Sequence, residues 1–144
     1  MVGGQVLDLQ ATGQQNGQIA SQSLRTMHAC KTGALIRAAA VSGAIMADGS
    51  DAAVDAVDKY ATHLGLAFQI IDDILDVEGT TDTLGKTVGK DAATGKVTYP
   101  ALYGLEESRG LARASIADAK ATLDAASLGG RLQEIADWVL SRST

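Results

Sequence analysis
The segment from about Ser50 to Glu78 leaves this chain few ways to fold. Ala53, Val57, Tyr60, Leu64 and Phe68 recur at the period of a helix, with Ser50-Asp51 as its start signal. At 100° per residue, Ile70, Ile71, Ile74, Leu75 and Val77 join Phe68 around most of the circumference, while Gln69, Asp72, Asp73 and Asp76 share one narrow arc. A helix apolar on most faces has to be enclosed by neighbours on several sides. The polar arc is equally demanding. It holds three carboxylates and no base, and in a closed site these cannot all stay ionised unless a metal or a basic partner compensates them. Gly79 is expected to end the helix, which sets the acids in its last turns against the negative end of the helix dipole. That placement costs stability and points to a function.

A solvated acidic edge is the commonest origin of such a cluster, and the apolar positions around this one rank that reading second. Magnesium suits the cluster best, because it prefers oxygen ligands, keeps several waters and is held by one or two carboxylates together with substrate phosphates. An EF-hand is excluded, since its ligands alternate around a central glycine in a turn and these lie on a helix.

The remaining composition narrows the field. The chain has 144 residues, one proline and few aromatic residues, and its alanine and leucine content favours helix throughout, so a single all-α domain over residues 1–144 is expected. A net charge of −5 argues against a nucleic-acid partner and against adhesion to anionic membranes. Cys30 is the only cysteine, so neither an internal disulfide nor a cysteine-based zinc site can form, and a reducing, cytoplasmic setting follows. No signal peptide is apparent, and the weakly polar run from Thr32 to Ala47 is interrupted by Arg37 and too short to span a bilayer.

Read in order, residues 1 to about 11 suit a helix, with Val2, Val6 and Leu9 on one face. A second helix, capped by Ser21 or Ser23, runs to about Ala47 and closes at Asp48-Gly49-Ser50. Thr32 and Gly33 interrupt its propensity, which suggests a bend or a ligand approaching the backbone. Gly79 to Val97 is too polar for core and too long for a simple connector, and its Lys86, Lys90 and Lys96 supply the positive charge the acidic arc lacks. Thr98-Tyr99-Pro100 opens a helix that Ala101, Leu102 and Leu105 continue. Leu111 to Ala126 and Leu128 to Ser141 complete the set, the last with Leu132, Ile135, Ala136, Val139 and Leu140 on one face. His28 and His63 have no second ligand at metal spacing and read as ordinary polar residues.

Five blocks in order carry a resemblance: Gly3-Gly4-Gln5 with Asp8-Leu9; Lys31-Thr32-Gly33-Ala34-Leu35; Phe68-Gln69 with Asp72-Asp73-Ile74-Leu75-Asp76; Leu84-Gly85-Lys86 with Gly89 and Asp91; and Gly95-Lys96-Val97-Thr98-Tyr99-Pro100. Together they resemble the C-terminal half of trans-isoprenyl diphosphate synthases of the farnesyl and geranylgeranyl type, over essentially the whole chain. The resemblance implies the C-terminal half of an isoprenoid-synthase-type helical bundle, in which two aspartate-rich helices hold Mg²⁺ and an allylic diphosphate. It implies Asp72 as a direct metal ligand, with Asp73 and Asp76 acting largely through water. Lys31, Lys86 and Lys96 would grip the diphosphate, while Thr32, Phe68 and Gln69 would border the reacting carbons. Lys31, Thr32, Gln69 and Lys86 are thereby the implied catalytic set. The implied substrates are an allylic diphosphate and isopentenyl diphosphate, and the intact enzyme is expected to be a homodimer. The first aspartate-rich motif is expected upstream of residue 1, so the chain alone is expected to be inactive and to need the missing N-terminal half. A non-catalytic partner subunit of the same fold is the alternative. A terpene cyclase-like lyase fits less well, because no Asn/Asp, Ser/Thr, Glu triplet follows Asp76.

Overall fold
A long helix forms the axis of the computed structural model, which describes residues 32–83 and 98–142 and, of these, every side chain except those of 80–83. In chain order the elements are α1 (Ala34–Met46), α2 (Asp51–Thr83), α3 (Tyr99–Tyr103), α4 (Leu105–Ala125) and α5 (Arg131–Ser141). No strand occurs among the described residues, and all four other helices pack against α2. The all-α architecture expected from propensity and period is therefore the one observed.

The core lies between α2, α4 and α5. Tyr60, Leu64, Ile70, Ile71 and Ile74 of α2 meet Ala112, Ile116, Ala119 and Leu123 of α4 and Ala136 and Val139 of α5. Each large apolar side chain enclosed there contributes about 1.5–3 kcal/mol. Alanines at 61, 67, 112 and 119 are essentially inaccessible and let the helices approach closely. Two polar groups of the core are answered across helices: the Tyr60 hydroxyl donates to the Leu132 carbonyl at 2.7 Å, and the Ser115 hydroxyl donates to the His63 carbonyl at 2.9 Å. Burial pushes the Tyr60 phenol up to about 12.

The α1 flank is built differently. No residue of α1 is buried, and Leu35, Ile45 and Met46 are exposed. Ile36 and Ala40 are half-buried against the core, and two further devices attach α1 to α2. Arg37 pairs with Asp58, with Nη2 donating to Oδ2 at 2.8 Å, and that hydrogen bond holds the carboxyl below its usual range. At Gly65, a Cβ would lie 2.9 Å from the Cα of Gly33, so the two backbones touch where a side chain at 65 would force them apart. The irregularity expected at Thr32-Gly33 is thus present as a wide helical turn, and what approaches the Gly33 backbone is another helix.

Two expected boundaries are corrected. Helix α2 does not end at Gly79 but continues to Thr83, so Asp72, Asp73 and Asp76 do not sit in its last turn. Glu78, beside that glycine, is tied to Arg109 of α4, and such a tertiary contact outweighs the modest propensity penalty of glycine. The helix expected to continue from Tyr99 through Leu105 is broken at Gly104, whose φ of 81° lies in the left-handed region that glycine tolerates. Its N–H donates to the Pro100 carbonyl at 2.9 Å, closing α3 and redirecting the chain into α4, where Glu106 and Glu107 suit the first turn.

Candidate active site
The acidic arc straddles the edge of the core. Gln69 and Asp73 are buried, with 8% and 4% of their surface exposed, while Asp76 is exposed and the Asp72 side chain retains 47%. The cause is angular. Asp72 and Asp76 are one helical turn apart and share the open side, whereas Asp73 is rotated 100° from Asp72 toward the α3 side. There the Asp73 Oδ2 accepts the backbone N–H of Tyr99 at 3.0 Å.

Among the described residues, a cation reaches the arc from the far end of the chain. Arg142, directly after α5, donates from Nη2 to Asp72 Oδ1 at 3.1 Å, across 70 positions of sequence. Its guanidinium stands 4.7 Å from the centroid of the Phe68 ring and 5.7 Å from that of Trp138, within the range of cation–π attraction. Its Nη1 is enclosed and has no hydrogen-bond partner among the described residues. Sequence reasoning missed Arg142. The available signal was its spacing of four from Trp138, which puts a base beside an aromatic ring at the end of an amphipathic helix.

Of the residues singled out in the sequence, Phe68, Gln69, Asp72, Asp73 and Asp76 are thus brought together by α2. Thr32 lies half-buried in the turn before α1. Lys31, Lys86 and Lys96 fall outside the described residues, as do Lys90 and the Gly-Gly-Gln block. Among the described residues no three His, Cys, Asp or Glu side chains converge to hold a metal by themselves. Two carboxylates on an open face nevertheless fit magnesium, which takes one or two from protein and its other ligands from water and phosphate. An apolar groove of about 510 Å³ between α1 and α2, lined by Arg37, Val41, Asp58, Thr62 and Leu66 among others, contains none of the predicted site residues.

Comparison with known proteins adds four findings. The family model described as Polyprenyl synthetase matches residues 1–127. The chain is 47% identical over 148 aligned positions to the farnesyl diphosphate synthase of Escherichia coli (strain K12), covering 99% of this chain and 48% of that protein. It is 49% identical over 112 positions to the chloroplastic geranylgeranyl pyrophosphate synthase 11 of Arabidopsis thaliana, covering 78% of this chain and 31% of that protein. Among solved structures, an FPP/GFPP synthase from Zymomonas mobilis in its apo form superposes with a TM-score of 0.75 at 32% identity, over 97% of this chain and 44% of the other. The chain therefore spans about half the length, or less, of these relatives.

Proposed function
Because the chain belongs to the polyprenyl synthetase family, we propose that it forms the second aspartate-rich half of a magnesium-dependent isoprenyl diphosphate synthase. The reaction joins an allylic diphosphate to isopentenyl diphosphate. The allylic carbon–oxygen bond breaks with its electron pair leaving on diphosphate, and the isopentenyl double bond attacks the allylic carbon. A proton lost from the adjacent carbon then passes to the released diphosphate, so no catalytic histidine is needed. The observation that carries the reading is the placement of Asp72 and Asp76 on one open side of α2, beside the Phe68 ring and Gln69 and at the edge of the core.

Each residue has a chemical task in this proposal. Asp72 and Asp76 would hold magnesium, whose charge stabilises a departing diphosphate. Asp72 is the closer ligand and Asp76 the outer one. Lys31, Lys86 and Lys96 supply further positive charge to the leaving group, an interaction stronger after ionisation than before it. The face of Phe68 borders the allylic carbons, where a π surface favours cationic carbon, and Gln69 and Thr32 complete that wall. Arg142 stands at Asp72 as an exchangeable counter-charge, with one guanidinium nitrogen already turned toward Asp72.

The chain alone is proposed to be inactive, because diphosphate and magnesium need a second carboxylate clamp facing this one. A radiolabelled condensation assay with and without a partner half carrying that clamp tests the proposal, with turnover expected only in the mixture. In an active assembly, Asp72→Ala should reduce the rate more than Asp76→Ala at saturating magnesium. The reverse order would show that the two positions are wrongly assigned, and turnover by the chain alone would overturn the need for a second half.

A further inference from the structure
We propose that Asp73 is a positioning residue, whose buried carboxylate anchors the backbone at Tyr99 and is thereby withdrawn from the carboxylates offered to a metal. The inference rests on reading the acidic end of α2 as a metal and diphosphate site, and it alters the membership of that site. Three observations carry it. Asp73 is enclosed, whereas Asp72 and Asp76 are open to solvent or nearly so. Its Oδ2 is engaged by the Tyr99 N–H at 3.0 Å. The donor it satisfies is the first N–H of α3, which has no partner within its own helix.

That last point follows from counting the donors of the first turn of α3. The leading N–H groups of a helix have no intrahelical partner. Pro100 has no N–H, Ala101 donates to the Thr98 hydroxyl at 3.3 Å, and Leu102 donates to the Thr98 carbonyl at 3.1 Å. Tyr99 remains, and its side chain is 99% buried, so an unanswered N–H there would cost far more than at a surface. Asp73 answers it from 26 positions upstream. The carboxylate thus fixes the backbone at the start of α3, directly downstream of Gly95-Lys96-Val97 in sequence. A two-carboxylate set of Asp72 and Asp76 remains, which is what magnesium takes when phosphates and water complete its shell.

The two roles respond differently to asparagine. An asparagine at 73 keeps an oxygen that can accept from Tyr99 but loses the charge a metal requires, whereas alanine loses both. The experiment compares the wild-type 144-residue chain with Asp73→Asn, Asp73→Ala and Asp72→Asn, following amide exchange at Tyr99 by NMR and Mn²⁺ affinity by electron paramagnetic resonance. The Tyr99 amide should exchange about ten- to a hundredfold faster in Asp73→Ala, the range expected for a lost charged acceptor, and be largely rescued in Asp73→Asn. Core amides at Ile116 and Leu123 serve as the control for global unfolding. Mn²⁺ affinity should stay within about threefold of wild type in Asp73→Asn and fall by about tenfold or more in Asp72→Asn. Unchanged Tyr99 exchange in Asp73→Asn and Asp73→Ala alike, with Mn²⁺ affinity reduced in Asp73→Asn as much as in Asp72→Asn, would overturn the proposal. If Asp73→Ala does not fold, the Mn²⁺ comparison between the two asparagine variants decides. A wild-type chain that binds no Mn²⁺ would count against the metal reading, while the exchange measurement would still decide whether Asp73 anchors Tyr99.

Discussion

The two flanks of α2 hold their neighbours by different means. Toward α4 and α5 the contact is a continuous apolar core in which Tyr60, Ile71, Ile74, Ala119 and Leu123 are sealed. Toward α1 it is an exposed ion pair, a meeting of two glycines and the half-buried Ile36 and Ala40, with no fully buried residue on α1 itself. The first flank draws its stability from area removed from water, which needs only apolar side chains of suitable volume. The second depends on backbone proximity, which a single methyl group can destroy. One helix is therefore joined to its neighbours by two kinds of contact, and the described residues seal it fully on only one side.

Leu123→Ala should test the finished flank most severely. It removes an inaccessible side chain from the centre of the α4 contact and should cost about 2–5 kcal/mol, visible as a large drop in the melting midpoint by circular dichroism. A loss well under 1 kcal/mol would mean that the core is looser than its burial implies.

Alkali should reach the same flank through Tyr60. Its folded phenol titrates near 12, above its ordinary value of 10.0, so the neutral form is favoured by folding. The associated stability is fully present below pH 10 and is lost as pH rises through 12, by up to about 3 kcal/mol at one kcal-scale step per pKa unit. Urea titrations at pH 9 and pH 12 check this, and Tyr60→Phe should remove most of the pH dependence while losing the bond to the Leu132 carbonyl.

Gly65→Ala sharpens the comparison from the other side. The added Cβ meets the Cα of Gly33 at 2.9 Å, a backbone atom that cannot rotate away, so α1 must shift at a cost of about 1–3 kcal/mol. Hydrogen exchange should rise along α1 and stay unchanged in α4. The smallest effect belongs to Arg37→Ala, because the pair with Asp58 is exposed and screened. Its contribution is present above the ordinary carboxyl range and is lost as pH falls through the lowered pKa of Asp58. Melting temperature at neutral pH should barely move, and added salt should abolish what difference there is.

Much of this was legible in the sequence, and the limits have physical causes. Helical period revealed α2 and the one-faced α5, because burial of a stripe is a local property of the chain. Of the predicted α5 face, Ala136 and Val139 are buried, while Ile135 stays exposed. The spacing of Gln69, Asp72, Asp73 and Asp76 revealed a common arc but not which member faces inward, since that depends on where α3 returns. The ends of α2 and α3 were misjudged for a related reason. Gly79 and Gly104 look alike in sequence, yet one is held within a helix whose neighbouring Glu78 pairs with Arg109, and the other turns the chain at positive φ. The sequence set Arg142 one turn from Trp138 but not beside Asp72, because 70 positions separate the pair and only the packing of α5 against α2 brings them together.

The neighbourhood of Arg142 has an optical consequence. Trp138 is the only tryptophan in the chain, 59% exposed, with the guanidinium of Arg142 5.7 Å from its ring. Indole emission responds to a nearby positive charge, so the colour and intensity of this single indole are expected to change when Arg142 leaves Asp72. Whatever draws that arginine away, whether divalent ion, phosphate or a second polypeptide, writes its arrival into the ultraviolet fluorescence of the unlabelled protein.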